Sequence, residues 1–393
     1  MNTRERSPSK RRSPGSRPNQ DRPPDQTRRP ATIRPTPRTS EWAAARNVHP
    51  GSSALAAALS LVLGACSSPL LPVFVASGDA PSRTGLTAIA EGAVFGNDAG
   101  RVIRLDGAGR VVWTVETGAE IELPLVVTED GVLGAVTGGD TLVALDADTG
   151  HERWRAGGQP PVAALAASGS RLLLLGREGE LRSFPARTGG MPLRRGWNAS
   201  LGVRPRAPPR ALIALEGGVL AIGPAAVLLL SGEDGSLRWK APVHESTGAV
   251  ADGDQLWTAE QTGRLLSLDR KTGAQRRAVP LGQHVVSGPT LALGRVWVGL
   301  EDQSLVGIDA RGMEPNWRAS LPAPLLGGVA EWQDRVLVPT AGREGRLLAI
   351  DLARPGSPAT ARVDSALRTR PLVHGTVAWV LAADGRVLGF RFR

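Results

Sequence analysis

The chain has 393 residues, a formal net charge of +10, one cysteine, five histidines and no tyrosine. A lone cysteine excludes an intramolecular disulfide framework and a four-cysteine zinc site. The charge is uneven: residues 1–50 hold 12 Lys and Arg against 4 Asp and Glu, a net +8 that leaves +2 for the remainder, so the high isoelectric point belongs to the tail.

Residues 1–50 form a basic extension, rich in Pro and Ser and without apolar periodicity. Such a composition buries too little surface to offset chain entropy, which predicts disorder. Two readings stay open. One is an arm for nucleic acid or an anionic membrane. The other is an extended start, with translation beginning near Val48 if its codon is GTG, since no methionine lies between Met1 and Met191.

Residues 51–65 read as a signal peptide. Within them ALAAALSLVL (54–63) is uncharged. It is too short to span a bilayer, which takes about 20 residues, but it fits a signal-peptide apolar region of roughly 7–15. Leu63-Gly64-Ala65-Cys66 resembles a bacterial lipobox, in which small residues admit the signal peptidase and the thiol takes the lipid. Cys66 is therefore the expected lipidation site, and residues 66–83 the expected tether and, at LLPVFVA (70–76), a strand. Cleavage would discard the basic tail with the leader, so no nucleic-acid partner is expected.

From about residue 84 the chain repeats. Units such as GGDTLVALDADTGHERWRA (138–156) and EDQSLVGIDARGMEPNWRA align, and the position of Asp146 recurs as Asp106, Pro185, Ser231, Asp269, Asp309, Asp351 and Arg391. The steps, 40, 39, 46, 38, 40, 42 and 40 residues, mean one supersecondary unit per repeat. In the Asp309 unit PTLAL, RVWVGL, SLVGID and NWRAS are four strand-like pieces. Thr262-Gly263 and Asp384-Gly385 mark hairpins. Leu142, Val143, Ala144 and Leu145 are apolar on both faces, as in strands covered on both sides. The expected fold is all-β: an eight-bladed β-propeller of four-stranded blades over 84–393, with the repeated motif as its inner strand. Trp113, Trp154, Trp239 and Trp317 would wedge between blades. The last unit stops after its third strand, so LLPVFVA is expected to complete it and close the ring.

Catalytic constellations are missing from the sequence. His49, His151, His244, His284 and His374 are scattered, none at metal-ligand spacing from another. No G-x-S-x-G elbow or phosphate loop occurs. Gly342-Arg343-Glu344-Gly345 and Arg177-Glu178-Gly179 fall where hairpins are expected. No catalytic residue, cofactor or metal is assigned.

The repeat x-G-x-L-x-A-L-D-x-x-T-G-x-x-x-W resembles the PQQ-like propeller repeat family. That family includes quinoprotein dehydrogenases, which are longer and place adjacent cysteines over the cofactor. The lipobox, the eight units, the truncated last unit and the long step after the third unit resemble its lipid-anchored BamB branch. What that resemblance implies is a non-catalytic scaffold lipoprotein at the periplasmic face of the outer membrane, aiding folding and insertion of nascent β-barrel proteins. Ser67 after Cys66, rather than aspartate, agrees with outer-membrane transport. The implied partner is the periplasmic part of the barrel inserter, BamA. Leu201, Val203 and Arg204, with Ala207-Pro208 after them, match the branch's Leu-x-Leu-Arg-Gly docking stretch and its Ala-Pro. Val203 stands for a leucine, Pro205 for the glycine, and the spacing is one shorter. Glu245 is the counterpart of acidic residues before the fifth unit. The alternative is a periplasmic propeller whose funnel binds a small molecule or a redox cofactor such as PQQ.

Overall fold

The structure is a computed structural model and describes residues 70–190, 211–312, 314–354 and 358–392. The leader, Cys66 and the stretch holding Leu201, Val203 and Arg204 lie outside the described residues. Every regular element described is a β-strand. Short runs of branched and aromatic residues favour strands, and glycines in the left-handed region end them, as at Gly263 (φ 92°) and Gly385 (φ 91°).

The strands form eight antiparallel sheets in chain order. These are blade 1 (87–116), blade 2 (126–156), blade 3 (162–185), blade 4 (211–242), blade 5 (246–280), blade 6 (285–320), blade 7 (330–363) and blade 8 (372–392). Blade 3 shows three strands among the described residues, and the other blades show four. Blade 8 gains its fourth from the other end of the domain. Leu70–Ala76 pairs antiparallel with Val387–Phe392, from Leu70↔Phe392 to Ala76↔Val387, with a bulge between Pro72 and Phe74. The ring is therefore an eight-bladed β-propeller closed by LLPVFVA, as the truncated last unit implied.

One expectation needs correction. The strand carrying the repeated motif, Thr141–Asp146 in blade 2, is the third of its sheet and not the innermost. The first strands of successive blades are the ones that touch one another around the axis. Leu142, Val143, Ala144 and Leu145 are all fully buried. Neighbouring blades cover the middle strands as completely as a position near the axis would, so apolarity does not reveal radial order.

The core is divided rather than central. Each apolar cluster bridges two adjacent blades: Val136 and Leu142 of blade 2 pack with Leu172 and Phe184 of blade 3, and Ala76 and Trp379 of blade 8 pack with Phe95 and Ile103 of blade 1.

Candidate partner interface

Two kinds of chain reversal separate onto the two faces of the ring. The turn between the third and fourth strands lies on one face. Its aspartate holds backbone. Asp146 Oδ1 accepts from the backbone N–H groups of Asp148 and Thr149 and from the Thr149 hydroxyl, while Oδ2 accepts from Arg153. Four donors favour the ionised form, and the Asp146 pKa falls to about 2, with the Thr149 backbone bond the largest cause. Asp269 is held low in the same way, by Arg276 first and then by Thr272. Asp309 accepts from the N–H groups of Arg311 and Gly312.

The same turns receive the tryptophans. Trp113 Nε1 donates to the Asp148 carbonyl at 3.1 Å, Trp154 to Ala186 at 2.7 Å, and Trp239 to Arg270 at 2.9 Å. In each case the acceptor belongs to the next blade. The indole rests on that blade's turn glycine: a Cβ on Gly273 (φ 72°) would lie 2.6 Å from the Trp239 ring. Two residues share the register of these tryptophans but were not read from the sequence. Trp154 pairs with Ala144 and Trp239 with Leu229, each two positions before the recurrent residue. At that place Arg277 pairs with Ser267 and Phe74 with Gly389. Arg277 donates to the Gly312 carbonyl at 3.3 Å, and Phe74 lies against Gly109 of blade 1. Pairing register is the signal that would have found them.

The opposite face carries the connections between blades, and Glu245 falls there. Glu245 lies between Leu237–Pro242 and Ser246–Asp252. Its φ is 49°, unusual for a residue with a Cβ. The surrounding backbone holds it there: its N–H donates to the Pro224 carbonyl at 2.6 Å, and its carbonyl accepts from Gln261 N–H at 3.0 Å. The Glu245 side chain is exposed and forms no ion pair among the described residues. Behind it, Glu260 is 1% exposed; its Oε1 accepts from the His244 N–H at 2.9 Å, and its Oε2 lies 3.4 Å from Arg264. The ladder continues through Gln261, whose carbonyl meets His284 Nδ1 at 3.1 Å, to Glu301, whose N–H donates to the His284 carbonyl. The chain re-enters the described structure at Ala211, opposite Ile222 and so two residues from Pro224, the acceptor for Glu245. Ala211 and Glu245 are thus both tied to the segment from Ile222 to Pro224.

The inner strands present few exposed side chains toward the axis. Their exposed residues are Ala88, Ala214, Asp252, Val286 and Glu331. The two carboxylates lie on different blades, and Glu331 Oε2 accepts from the Leu293 N–H at 2.7 Å. Among the described residues no group of three His, Cys, Asp or Glu is placed to hold a metal.

Aspartate-held turns and indoles docked on the next blade define a β-propeller of the PQQ-like repeat class. The family model described as outer membrane protein assembly factor BamB matches residues 98–251 and 227–354, and the chain belongs to that family. It is 32% identical over 100 residues to the outer membrane protein assembly factor BamB of Alkalilimnicola ehrlichii, covering 23% of this chain and 26% of that protein. It is 30% identical over 173 residues to that of Burkholderia pseudomallei, covering 40% and 42%. Each match thus spans less than half of the curated relative's length. The crystal structure of BamB from Moraxella catarrhalis superposes with a TM-score of 0.69 at 19% identity, covering 82% of this chain and 98% of that one. The computationally designed Ika8 protein (TM-score 0.66, 17% identity, covering 80% and 98%) shares the fold.

Proposed function

We propose that the chain is a non-catalytic scaffold lipoprotein of outer-membrane β-barrel assembly. It is anchored through Cys66 at the periplasmic face and aids the folding and insertion of β-barrel proteins. Its partner is the periplasmic part of the barrel inserter BamA, engaged by Leu201, Val203 and Arg204 together with Glu245. The observation that carries this reading is the family match across residues 98–354. It is supported by Glu245, exposed on the connecting face and tied, like Ala211, to the segment from Ile222 to Pro224. Arginine with apolar neighbours is the composition of interface hot spots.

The test is crosslinking in cells followed by purification of the full chain from solubilised outer membranes. The barrel inserter is expected to come with it. A chain that purifies without the inserter but with a quinone absorbance would overturn the scaffold reading in favour of cofactor binding.

A further inference from the structure

The exposed large aliphatic side chains are not spread evenly around the rim. Leu71, Val73 and Val75 lie on the closing strand Leu70–Ala76, and Val111 and Val112 open the outer strand of blade 1, Val111–Glu116. The two strands flank one seam, because Phe74 crosses it onto Gly109, two residues before Val111. Elsewhere the outer strands carry charged side chains: Arg153, Arg276 and Arg318, each in an ion pair, on blades 2, 5 and 6, and Arg238 and Arg362 on blades 4 and 7. The closing strand has no charged residue. Glu116 in blade 1 pairs with Arg101 at 3.3 Å, and Arg110, beside Val111, pairs with Asp106 at 2.7 Å. One sector of the rim therefore has apolar outer strands, with the exposed Arg391 standing opposite Leu71. Leu70, where that sector begins, is four residues from Cys66, a reach of at most about 14 Å.

We propose that the seam between blades 8 and 1 rests on the lipid bilayer to which Cys66 is tethered, with Val73, Val75, Val111 and Val112 in the headgroup–acyl boundary. The proposal rests on the lipoprotein reading above. The contact is apolar and so insensitive to salt, unlike a basic patch on anionic lipid, which is screened. Tether and seam together hold the ring edge-on to the membrane. Blade 4, half a turn away, points into the aqueous space, and the connecting face that bears Glu245 looks sideways along the membrane.

The test uses the full acylated chain in vesicles of phosphatidylethanolamine and phosphatidylglycerol containing brominated acyl chains. Acylation blocks Cys66, so Val112→Cys or Leu237→Cys supplies the one reactive thiol for a fluorophore. These positions are 50% and 55% exposed, which makes blade 4 a matched control. Quenching by the brominated lipid is expected to be several-fold stronger at 112 than at 237, and unchanged at high salt. Equal quenching at both positions on a chain that floats with the vesicles overturns the seam contact and leaves the anchor standing. Quenching at 112 that salt abolishes overturns it too, as does shielding of that label by a second copy. A chain that fails to float removes the lipoprotein reading, and the seam proposal falls with it.

Discussion

Trp239 is 7% exposed and joins blades 4 and 5 by a hydrogen bond and by contact with Gly273. Trp239→Ala is expected to lower unfolding stability by about 3–5 kcal/mol, the range for truncating a buried aromatic. Gly273→Ala should also destabilise, since its backbone is left-handed and its Cβ would meet the indole. Part of that penalty requires the ring. In urea titrations Gly273→Ala should therefore cost less in the Trp239→Ala background than alone; strict additivity would show that the two do not meet. Asp146 makes a separate prediction. Its folded pKa of about 2 lies below the ordinary value, near 3.9. The carboxylate therefore contributes stability above about pH 4 and loses it as pH falls toward 2. Melting curves of the protein and of Asp146→Asn should differ at neutral pH and converge through that window. A difference that persists unchanged at low pH would mean that the carboxylate charge is not what holds the turn.

At the scale of elements, the closing strand is the decisive piece. Removing Leu70–Ala76 leaves Val387–Phe392 as an unpaired outer edge and uncovers Trp379, on which Phe74 packs edge-on at 4.8 Å. Aggregation or a clearly lowered melting temperature is expected; an unchanged curve would mean that the ring closes another way. Phe74→Ala should weaken the same seam while keeping the strand, and Phe74→Trp should be tolerated better because the register is that of the docking tryptophans. The strands, their hairpins and the closing segment were legible in the sequence, because period and turn chemistry are local properties. The roles of Phe74 and Arg277 were not, since they depend on which residues face each other across a ladder. Radial order was hidden for a related reason: the second and third strands are buried on both faces and read alike. Of the expected docking residues, Glu245 could be placed: its N–H bonds Pro224, two residues from the partner of Ala211. The stretch holding Leu201, Val203 and Arg204 carries no repeat that would fix it by pattern.

At the largest scale, the described propeller is a ring of inter-blade slabs rather than one core, and its function on this account belongs to its edges. One face is occupied by aspartate-held turns that receive the preceding blade's indole. The other presents the connections, with Glu245 fixed in place by its backbone. A scaffold needs such a division, in which rigid turns hold a set of connections in fixed relation for a partner to read. The central claim is that this face docks on the barrel inserter, and the most direct measurement is the affinity of the full chain for the inserter's purified periplasmic domains. Saturable binding is predicted. Arg204→Ala, with circular dichroism unchanged, should weaken it by about 2 kcal/mol or more, roughly thirtyfold, as for a truncated arginine hot spot, and Glu245→Ala should weaken it less. Native affinity in Arg204→Ala would remove that stretch as the docking site, and a chain that does not bind the periplasmic domains at all would contradict the account.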